Sequence, residues 1–305
     1  MRERCIIAVL LVVVASGRTQ DLEPRAYSAS PVGVNFVVIA YGYSSGSVLF
    51  DPTLPLSNVK ASLNIPNFGY GRTFGLFGRQ ALVTAVLPYV WGNISGQVFE
   101  QSRSIQRSGL ADIRVKLSTN LRGNPARTPA EFARLRKRPL IVGTSITVSA
   151  PSGQYAPAKL VNIGTNRWAF KPEVGVSWPV MKRLYLDLYA GISLFTHNTD
   201  FFPGNKLRQQ GPVTSVQGHV SYTFRSRLWA AADMTWYRGG AVSVDHGTPT
   251  GEQNNSRAGM TLSLPLTAQQ SLKLAYSTGT TARIGSNFRS VTVAWQYSWL
   301  DSGLQ

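Results

Sequence analysis

His219 and Ser221 are the two side chains in this sequence whose types match a general base and a nucleophile. They lie two residues apart in a stretch where polar and apolar residues alternate, which places both on one face of a β-strand. Residues i and i+2 of a strand are about 7 Å apart, too far for the direct hydrogen bond that activates a serine. We therefore predict that the pair is not catalytic and that the protein is not an enzyme.

The sequence also offers little to hold a metal or a cofactor. Asp245 and His246 are neighbours in a predicted outer loop and could ligate a metal, but no third ligand is apparent, so we interpret them as part of a solvated loop. The one cysteine, Cys5, lies in the apolar N-terminal run, so thiol catalysis, disulfides and cysteine metal sites are excluded from the rest of the chain. We predict no metal and no cofactor.

Charged residues recur on the polar face of several alternating segments. Asp112 with Arg114, and Lys171 with Glu173, are opposite charges two residues apart on one face, a spacing that predicts ion pairs. One interpretation is a packed polar network inside a narrow barrel, and the other is a lining that selects small polar or anionic solutes. The predicted lumen-lining residues are Asp112, Arg114, Lys116, Lys171, Glu173, Asp187, His219, Arg225, Asp233, Arg257 and Lys273.

The segments that carry these charges have the period of a β-strand. In residues 183–195, Leu184 and Leu186 lie on one face, and Tyr185 and Asp187 lie on the other. The apolar face has no charge over the length that crosses a bilayer as a tilted strand, about 9–11 residues. Because similar segments recur along the chain, we predict an all-β fold, a transmembrane antiparallel up-and-down β-barrel.

Twelve strands fit the pattern, with short and long connections alternating along the chain. Short periplasmic turns and longer outer loops are typical of outer-membrane barrels whose termini both lie in the periplasm. The longer loops are predicted at 44–58, 92–108, 151–166, 197–211, 239–254 and 280–285. The strands are predicted near 33–43, 59–74, 80–91, 109–121, 139–150, 167–180, 183–196, 212–225, 227–238, 255–266, 270–279 and 286–299. The first two alternate poorly, which leaves their register open.

Aromatic residues near strand ends favour a membrane location. Trp168 and Phe170 lie at one end of the apolar face of residues 167–180, and Trp178 lies at the other. About eight to ten residues at ~3.3 Å each, tilted by about 40°, span roughly 20–25 Å, the height of an outer-membrane apolar band. The predicted girdle residues are Tyr89, Trp91, Trp168, Phe170, Trp178, Tyr222, Phe224, Trp236, Tyr297 and Trp299.

One predicted periplasmic connection, residues 122–138, is unusually long. It contains Thr128-Pro129-Ala130-Glu131, which fits a capping box with proline at the first helical position. We predict a short helix near 129–137, with a basic cluster at its C-terminal end, where the helix dipole favours cations. Its expected role is to brace the periplasmic mouth of the barrel.

The N-terminus has the pattern of a secretory signal. A basic start is followed by an apolar run from Cys5 to Val14 and by small residues up to Gly17. The run is about half the ~20 residues of a membrane helix. We predict export to the bacterial outer membrane, with a cleaved signal peptide at 1–17, an N-terminal periplasmic segment at 18–32, the barrel at 33–299 and a C-terminal tail at 300–305.

The formal net charge of +17 invites a nucleic-acid interpretation. The predicted signal argues against it, and the lysines and arginines are mostly scattered, as in solvated loops or in contacts with anionic lipid headgroups. We predict outer-membrane lipid and a small organic solute as partners, and no nucleic acid. The oligomeric state is not readable from these residues.

Five sequence blocks resemble a known family. They are Pro-Asn-Phe-Gly-Tyr-Gly-Arg-Thr-Phe-Gly-Leu-Phe-Gly-Arg at 66–79, Val-Leu-Pro-Tyr-Val-Trp-Gly at 86–92, Ala-Pro-Ser-Gly-Gln-Tyr at 150–155, Asn-Ile-Gly-Thr-Asn-Arg-Trp at 162–168 and Gln-Gly-His-Val-Ser-Tyr at 217–222. Together they look like the MetA-pathway of phenol degradation family of outer-membrane transporters. The resemblance covers nearly the whole predicted mature chain. It implies a Gram-negative outer-membrane barrel for uptake of aromatic or other hydrophobic compounds.

These observations predict a passive, porin-like channel for small organic solutes, with a charge-paired lumen gated by outer loops such as 151–166 and 197–211. Twelve strands lie between eight-stranded barrels, which side chains fill, and porins of about sixteen to eighteen strands. No plug-sized domain precedes the first strand, which argues against an energy-coupled receptor. The alternatives are a structural or adhesive barrel with a blocked lumen, and an outer-membrane lipid hydrolase, although the His-x-Ser-Asn-Gly signature of the outer-membrane phospholipase is absent.

Overall fold

The computed structural model describes residues 22–49, 56–98, 101–135 and 139–301, and its strands close into one antiparallel β-barrel. The predicted signal peptide, residues 1–17, lies outside the described residues. The elements in chain order are β1 (Val34–Leu49), β2 (Leu56–Leu76), β3 (Arg79–Val98), β4 (Gln101–Leu110), β5 (Arg114–Arg122), α1 (Pro129–Ala133), β6 (Ile141–Ser149), β7 (Ala169–Pro179), β8 (Leu184–Phe195), β9 (Asn198–Phe201), β10 (Lys206–Gln210), β11 (Val213–Arg225), β12 (Leu228–Gly239), β13 (Val242–Val244), β14 (Gln253–Pro265), β15 (Gln270–Thr281) and β16 (Gly285–Leu300).

The barrel follows chain order, and β1 closes it by pairing with β16. The main sheet has thirteen strands in the order β2-β1-β16-β15-β14-β12-β11-β8-β7-β6-β5-β3-β4, and β2 also pairs with β3. β4 pairs with residues 89–98 of β3 and β5 pairs with residues 81–86, so these two are halves of one barrel strand. The predicted twelve-stranded, up-and-down barrel is therefore confirmed.

The register of the first two strands, which the sequence left open, is fixed by both neighbours of β1. Val34 pairs with Leu300 of β16, and Asn35 pairs with Arg72 of β2. The ladder between β2 and β3 skips Pro66, which has no backbone N–H to donate.

One side of the barrel is taller than predicted. β1 to β4 extend through most of the segments expected as loops 44–58 and 92–108, so that expectation was wrong. The extension of β3 carries polar residues such as Asn93 on its outward face, because it rises above the apolar band. Its inward face has Ile94 between Gly92 and Gly96, so the apolar-out alternation of a lipid-facing strand is lost there.

Two of the predicted outer loops also contain strands. β9 and β10 lie in loop 197–211 and β13 lies in loop 239–254, and they form a separate three-stranded sheet at the outer end of the barrel. Loop 280–285 is shorter than predicted, because β15 runs to Thr281 and β16 begins at Gly285.

The periplasmic helix is present but shorter than predicted. The capping box is formed, since the Thr128 side chain accepts from the Glu131 backbone and the Glu131 side chain accepts from the Thr128 backbone. The helix ends at Ala133 and not near 137, because the N–H of Arg134 turns back to the carbonyl groups of Glu131 and Phe132. Basic residues 136–138 lie outside the described residues. No described helix is long and apolar enough to cross a membrane.

Aromatic side chains on the outward faces form two belts at the strand ends. Trp168 and Phe170 stack in the outer belt with ring centroids 6.4 Å apart, and Tyr297 and Trp299 stack in the periplasmic belt at 5.8 Å. The outer belt also contains Tyr89, Trp91 and Trp236, and the periplasmic belt also contains Trp178, Tyr222 and Phe224. These are the predicted girdle positions, and their contact with lipid stays a prediction.

Candidate functional site

Residues 22–32 are called here the N-terminal segment: its end contacts the connection 122–128, where the Val32 N–H donates to the Arg127 carbonyl oxygen at 2.8 Å, and its part around Tyr27 lies inside the lumen. Tyr27 is its central anchor, with only 2% of its surface exposed. Its hydroxyl lies 3.0 Å from Ser145 Oγ and donates to Glu173 Oε1 at 3.1 Å. Its ring meets Tyr189 edge-on, with centroids 5.1 Å apart. Burial raises the pKa of Tyr27, so its hydroxyl stays a donor at neutral pH.

Glycines in the barrel wall make room for this ring. Gly143 of β6 and Gly175 of β7 face each other across the ladder, and both point into the lumen. A Cβ added to Gly143 would lie 2.3 Å from Tyr27 Cδ1, and one added to Gly175 would lie 2.3 Å from Tyr27 Cε2. The ring therefore occupies space that any larger side chain would fill.

Arg25 attaches the N-terminal segment to the adjoining strands β8, β11 and β12. Its backbone N–H donates to Asp187 Oδ2 at 3.1 Å. Its guanidinium donates to Ser221 Oγ at 2.9 Å and to Thr223 Oγ1 at 2.7 Å, and it lies 4.6 Å from the centroid of the Trp229 ring. The predicted lumenal residue Asp187 thus binds the segment.

A chain of alternating charges connects the N-terminal segment to β5 and β7. Lys116 Nζ lies 2.7 Å from Glu23 Oε2 and 3.8 Å from Glu173 Oε1, and Lys171 Nζ lies 2.7 Å from Glu173 Oε2. The Lys171–Glu173 ion pair expected from the sequence is therefore present. Attraction to Lys116 lowers the pKa of Glu23 to about 2.

That pKa makes the docking of the N-terminal segment acid-sensitive in a defined range. The pKa of Glu23 is lower when the segment is docked than the ordinary carboxylate pKa of 4.5. Its ion pair therefore stabilises docking fully above pH 4.5, and this stabilisation is lost as the pH falls towards 2. We expect a constant single-channel conductance from pH 7 to about pH 5 and a rise between about pH 4.5 and pH 2.

Substitution of Glu23 tests whether this residue, and not another carboxylate, causes the change in conductance at low pH. Glu23→Gln is expected to raise the conductance at neutral pH and to flatten its pH dependence. Glu131→Gln is the matched control, because hydrogen bonds from Thr128 also lower the pKa of Glu131, outside the lumen. An unchanged acid response in Glu23→Gln would assign that response to another group.

His219 belongs to a buried network that is distinct from a serine-activating pair. Its Nδ1 lies 2.7 Å from Asp233 Oδ1, and Thr261 Oγ1 donates to Asp233 Oδ2 at 2.8 Å. Ser221 is hydrogen-bonded to Arg25, and His219 and Ser221 make no hydrogen bond with each other. This geometry can orient the imidazole, but it does not activate the serine.

The outer loop 151–166 is fastened to the wall by Asp112. Asp112 Oδ1 accepts from Gly153 N at 2.9 Å, and Oδ2 accepts from Thr165 N at 3.0 Å and from Thr165 Oγ1 at 2.6 Å. Arg107 Nε donates to the Val161 carbonyl oxygen at 2.9 Å. The loop therefore closes the outer end of the lumen beside β4.

The other predicted lumen residues occupy different heights. Arg114, Arg257 and Lys273 lie on inward faces, and the Lys273 ammonium lies 5.9 Å from the centroid of the Trp229 ring. Arg225 is exposed at the periplasmic end of β11, next to a register shift, so it lies at the mouth and not within the lumen. Asp245 forms an ion pair with Lys206 at 2.5 Å. The described residues contain no group of three His, Cys, Asp or Glu that could hold a metal.

A family model described as "Putative MetA-pathway of phenol degradation" matches residues 42–283. No curated protein sequence matches the chain. Similar solved structures include an outer membrane channel from Pseudomonas putida, 18% identical, with a TM-score of 0.75, covering 92% of this chain and 100% of that one.

Two translocator structures are similar at lower scores. The transport unit of the autotransporter AIDA-I from Escherichia coli is 12% identical, with a TM-score of 0.54, covering 94% of this chain and 95% of that one. The beta domain of the Bordetella autotransporter BrkA is 11% identical, with a TM-score of 0.53, and the match covers 88% of this chain and 100% of that one. At these identities the similarity shows the barrel fold alone.

Proposed function

Because the chain belongs to the "Putative MetA-pathway of phenol degradation" family, we propose that it is an outer-membrane channel for passive uptake of small organic solutes, with aromatic or hydrophobic compounds as the favoured class. The family description names phenol degradation, which supports an aromatic class. The similar Pseudomonas putida structure is described as an outer membrane channel, which supports the transport role and the location. The signal peptide predicted at 1–17 would direct the chain there.

One observation carries the channel proposal: a chain segment occupies lumen space that the wall side chains, such as Tyr189 and Trp229, do not fill themselves. Where the N-terminal segment lies, the wall presents small residues such as Gly143, Gly175, Ser145 and Ser221. A purely structural barrel would fill this space with larger wall side chains, as eight-stranded barrels do. Small wall residues leave a passage once the segment moves.

The proposed mechanism is diffusion past a displaced N-terminal segment. Its contacts to the wall are mostly single hydrogen bonds and ion pairs, each contributing about 0.5–1.5 kcal/mol. Tyr27 adds the largest apolar contact. A solute that enters beside loop 151–166 would meet the inward polar residues of β8, β11, β12 and β14 before it reaches the segment.

Solute entry into proteoliposomes tests this function. We expect benzoate and phenyl glucoside, both poor at crossing bare lipid, to enter faster than into protein-free liposomes and faster than glucose. Folding of the same sample is checked by the shift in gel mobility on heating. Folded protein without any flux would favour the structural barrel with a blocked lumen.

A further inference from the structure

Arg257 is a buried cation without a buried anion. It points into the lumen from β14, with 5% of its surface exposed. One terminal nitrogen donates to Ser277 Oγ at 2.9 Å and to the Phe288 carbonyl oxygen at 3.0 Å. It makes no ion pair with any residue that the structure describes, and its Nε has no hydrogen-bond partner there. A buried charge without a counterion is costly, so an arginine kept in this position indicates an anionic partner from outside the chain.

Two polar side chains continue the row across the neighbouring strands. Thr235 of β12 pairs with Arg257, and Gln217 of β11 pairs with Thr235. They are 3% and 6% exposed, and neither Thr235 Oγ1 nor Gln217 Oε1 has a hydrogen-bond partner among the described residues. Strands lie about 4.8 Å apart, so the three groups span roughly 10 Å of wall.

The same strands pair some of their other polar groups internally. Asp233 of β12 bonds His219 Nδ1 of β11 and accepts from Thr261 Oγ1 of β14, although His219 Nε2 has no partner among the described residues. A wall designed only as a packed network would pair the row of Arg257 in the same way. The row of Arg257, Thr235 and Gln217 therefore indicates a site that binds polar atoms of a ligand.

Arg257 also borders an apolar surface. Phe288, whose carbonyl oxygen accepts from Arg257, packs in a cluster with Val48, Leu63, Val90 and Ile94 from β1, β2 and β3. The cation and its polar row thus lie on one side of the outer lumen, and the aliphatic and aromatic side chains lie on the other. Val161 and Ile163 of loop 151–166 pack against the cluster, so an amphipathic molecule with one anionic end would match both sides when this loop makes room.

We propose that Arg257, with the Thr235 hydroxyl, binds the carboxylate of a monocarboxylic acid whose apolar body lies towards the Phe288 cluster; Gln217 Oε1, which only accepts, is left for a ligand hydroxyl or water. A guanidinium matches a carboxylate through paired hydrogen bonds, and a single guanidinium suits one negative charge. The proposal rests on the proposed channel function and names its substrate class: organic acids with an aromatic or aliphatic body.

Benzoate and benzamide test the site because they have nearly the same shape and differ in charge. Binding of each to the purified, folded protein in detergent is measured by calorimetry. We expect benzoate to bind about tenfold or more tightly than benzamide, the difference typical of hydrogen bonds to a charged group. Arg257→Gln should abolish the preference, and Arg257→Lys should keep much of it. Arg103→Gln, at an exposed arginine of β4, should behave as the unaltered protein.

Thr235→Val is the second variant, because it removes a hydroxyl while keeping the side-chain shape. It should weaken benzoate binding severalfold and leave benzamide unaffected. Equal binding of the two ligands by the unaltered protein, or an undiminished preference in Arg257→Gln, would overturn the proposed site. Flux of the neutral phenyl glucoside tests the channel separately. If phenyl glucoside enters proteoliposomes but the protein does not bind benzoate more tightly than benzamide, the site is rejected and the channel stands. If phenyl glucoside does not enter, the channel is rejected.

Discussion

Replacing Gly143 with valine is expected to drive the N-terminal segment out of the lumen and to raise the single-channel conductance severalfold. The three atoms nearest to an added Cβ all belong to the Tyr27 ring, at 2.3 to 3.0 Å. The ring has no free space to move into, because Gly175 and Tyr189 enclose its other edges. Overpacking costs about 1–3 kcal/mol, enough to offset two or three of the segment's hydrogen bonds, so the undocked population of the segment rises while the closed barrel resists distortion.

Gly218→Val is the matched control for this experiment. Gly218 lies on β11, and a Cβ added there meets no atom within 4 Å. Both variants place a β-branched residue in a strand, where it is favourable, but Gly143 faces the lumen and Gly218 faces outward, so only the first variant meets the segment. Planar-bilayer recordings compare the two, after gel mobility shows that each is folded. Equal conductance of the two variants would mean that the segment does not limit the passage.

Tethering the N-terminal segment should have the opposite effect. Leu22 Cδ1 lies 2.4 Å from the position of a Cβ added to Gly259 of β14. Leu22→Cys with Gly259→Cys therefore places the two Cβ atoms within reach of a disulfide, once the Tyr276 carbonyl oxygen, 2.8 Å from the new Cβ, shifts away. The predicted mature chain has no other cysteine, because Cys5 lies in the signal. We expect the oxidised double variant to be closed to solutes and the reduced form to conduct. Leu22→Cys alone, which cannot form the bond, should not respond to reductant.

The barrel was readable from the sequence because its signal is local. The alternation of Leu184, Leu186 and Leu188 with polar residues marks a strand wherever one face meets lipid, and each such strand was placed correctly within a few residues. The outer extension of β3, residues 92–98, was missed because its outward positions are polar and two of its inward positions are glycines, so no apolar face marks it as a strand.

The occupied lumen was not predictable in the same way. Tyr27 and Glu173 are 146 residues apart in sequence, and the N-terminal segment has no periodicity to mark it as part of the fold. A signal did exist in the wall: Gly143 and Gly175 fall on inward positions, where small residues indicate space for another group. That space was taken for an open lumen.

Local spacing predicted some contacts and misjudged others. Lys171 and Glu173 form the expected pair, because two residues on one strand face are held at a fixed distance. The Asp112 carboxylate instead accepts hydrogen bonds from loop 151–166, since the break between β4 and β5 turns it towards that loop. A partner supplied by tertiary folding cannot be read from i, i+2 spacing.

The most direct test of the account is benzoate entry into proteoliposomes that hold the Leu22→Cys, Gly259→Cys double variant, measured on one preparation before and after reduction. The account predicts negligible entry while the disulfide holds the N-terminal segment in the lumen, and entry at the rate of the unaltered protein after reductant is added. Equal, rapid entry in both states, with the disulfide shown to be complete, would contradict a solute path that depends on movement of the segment.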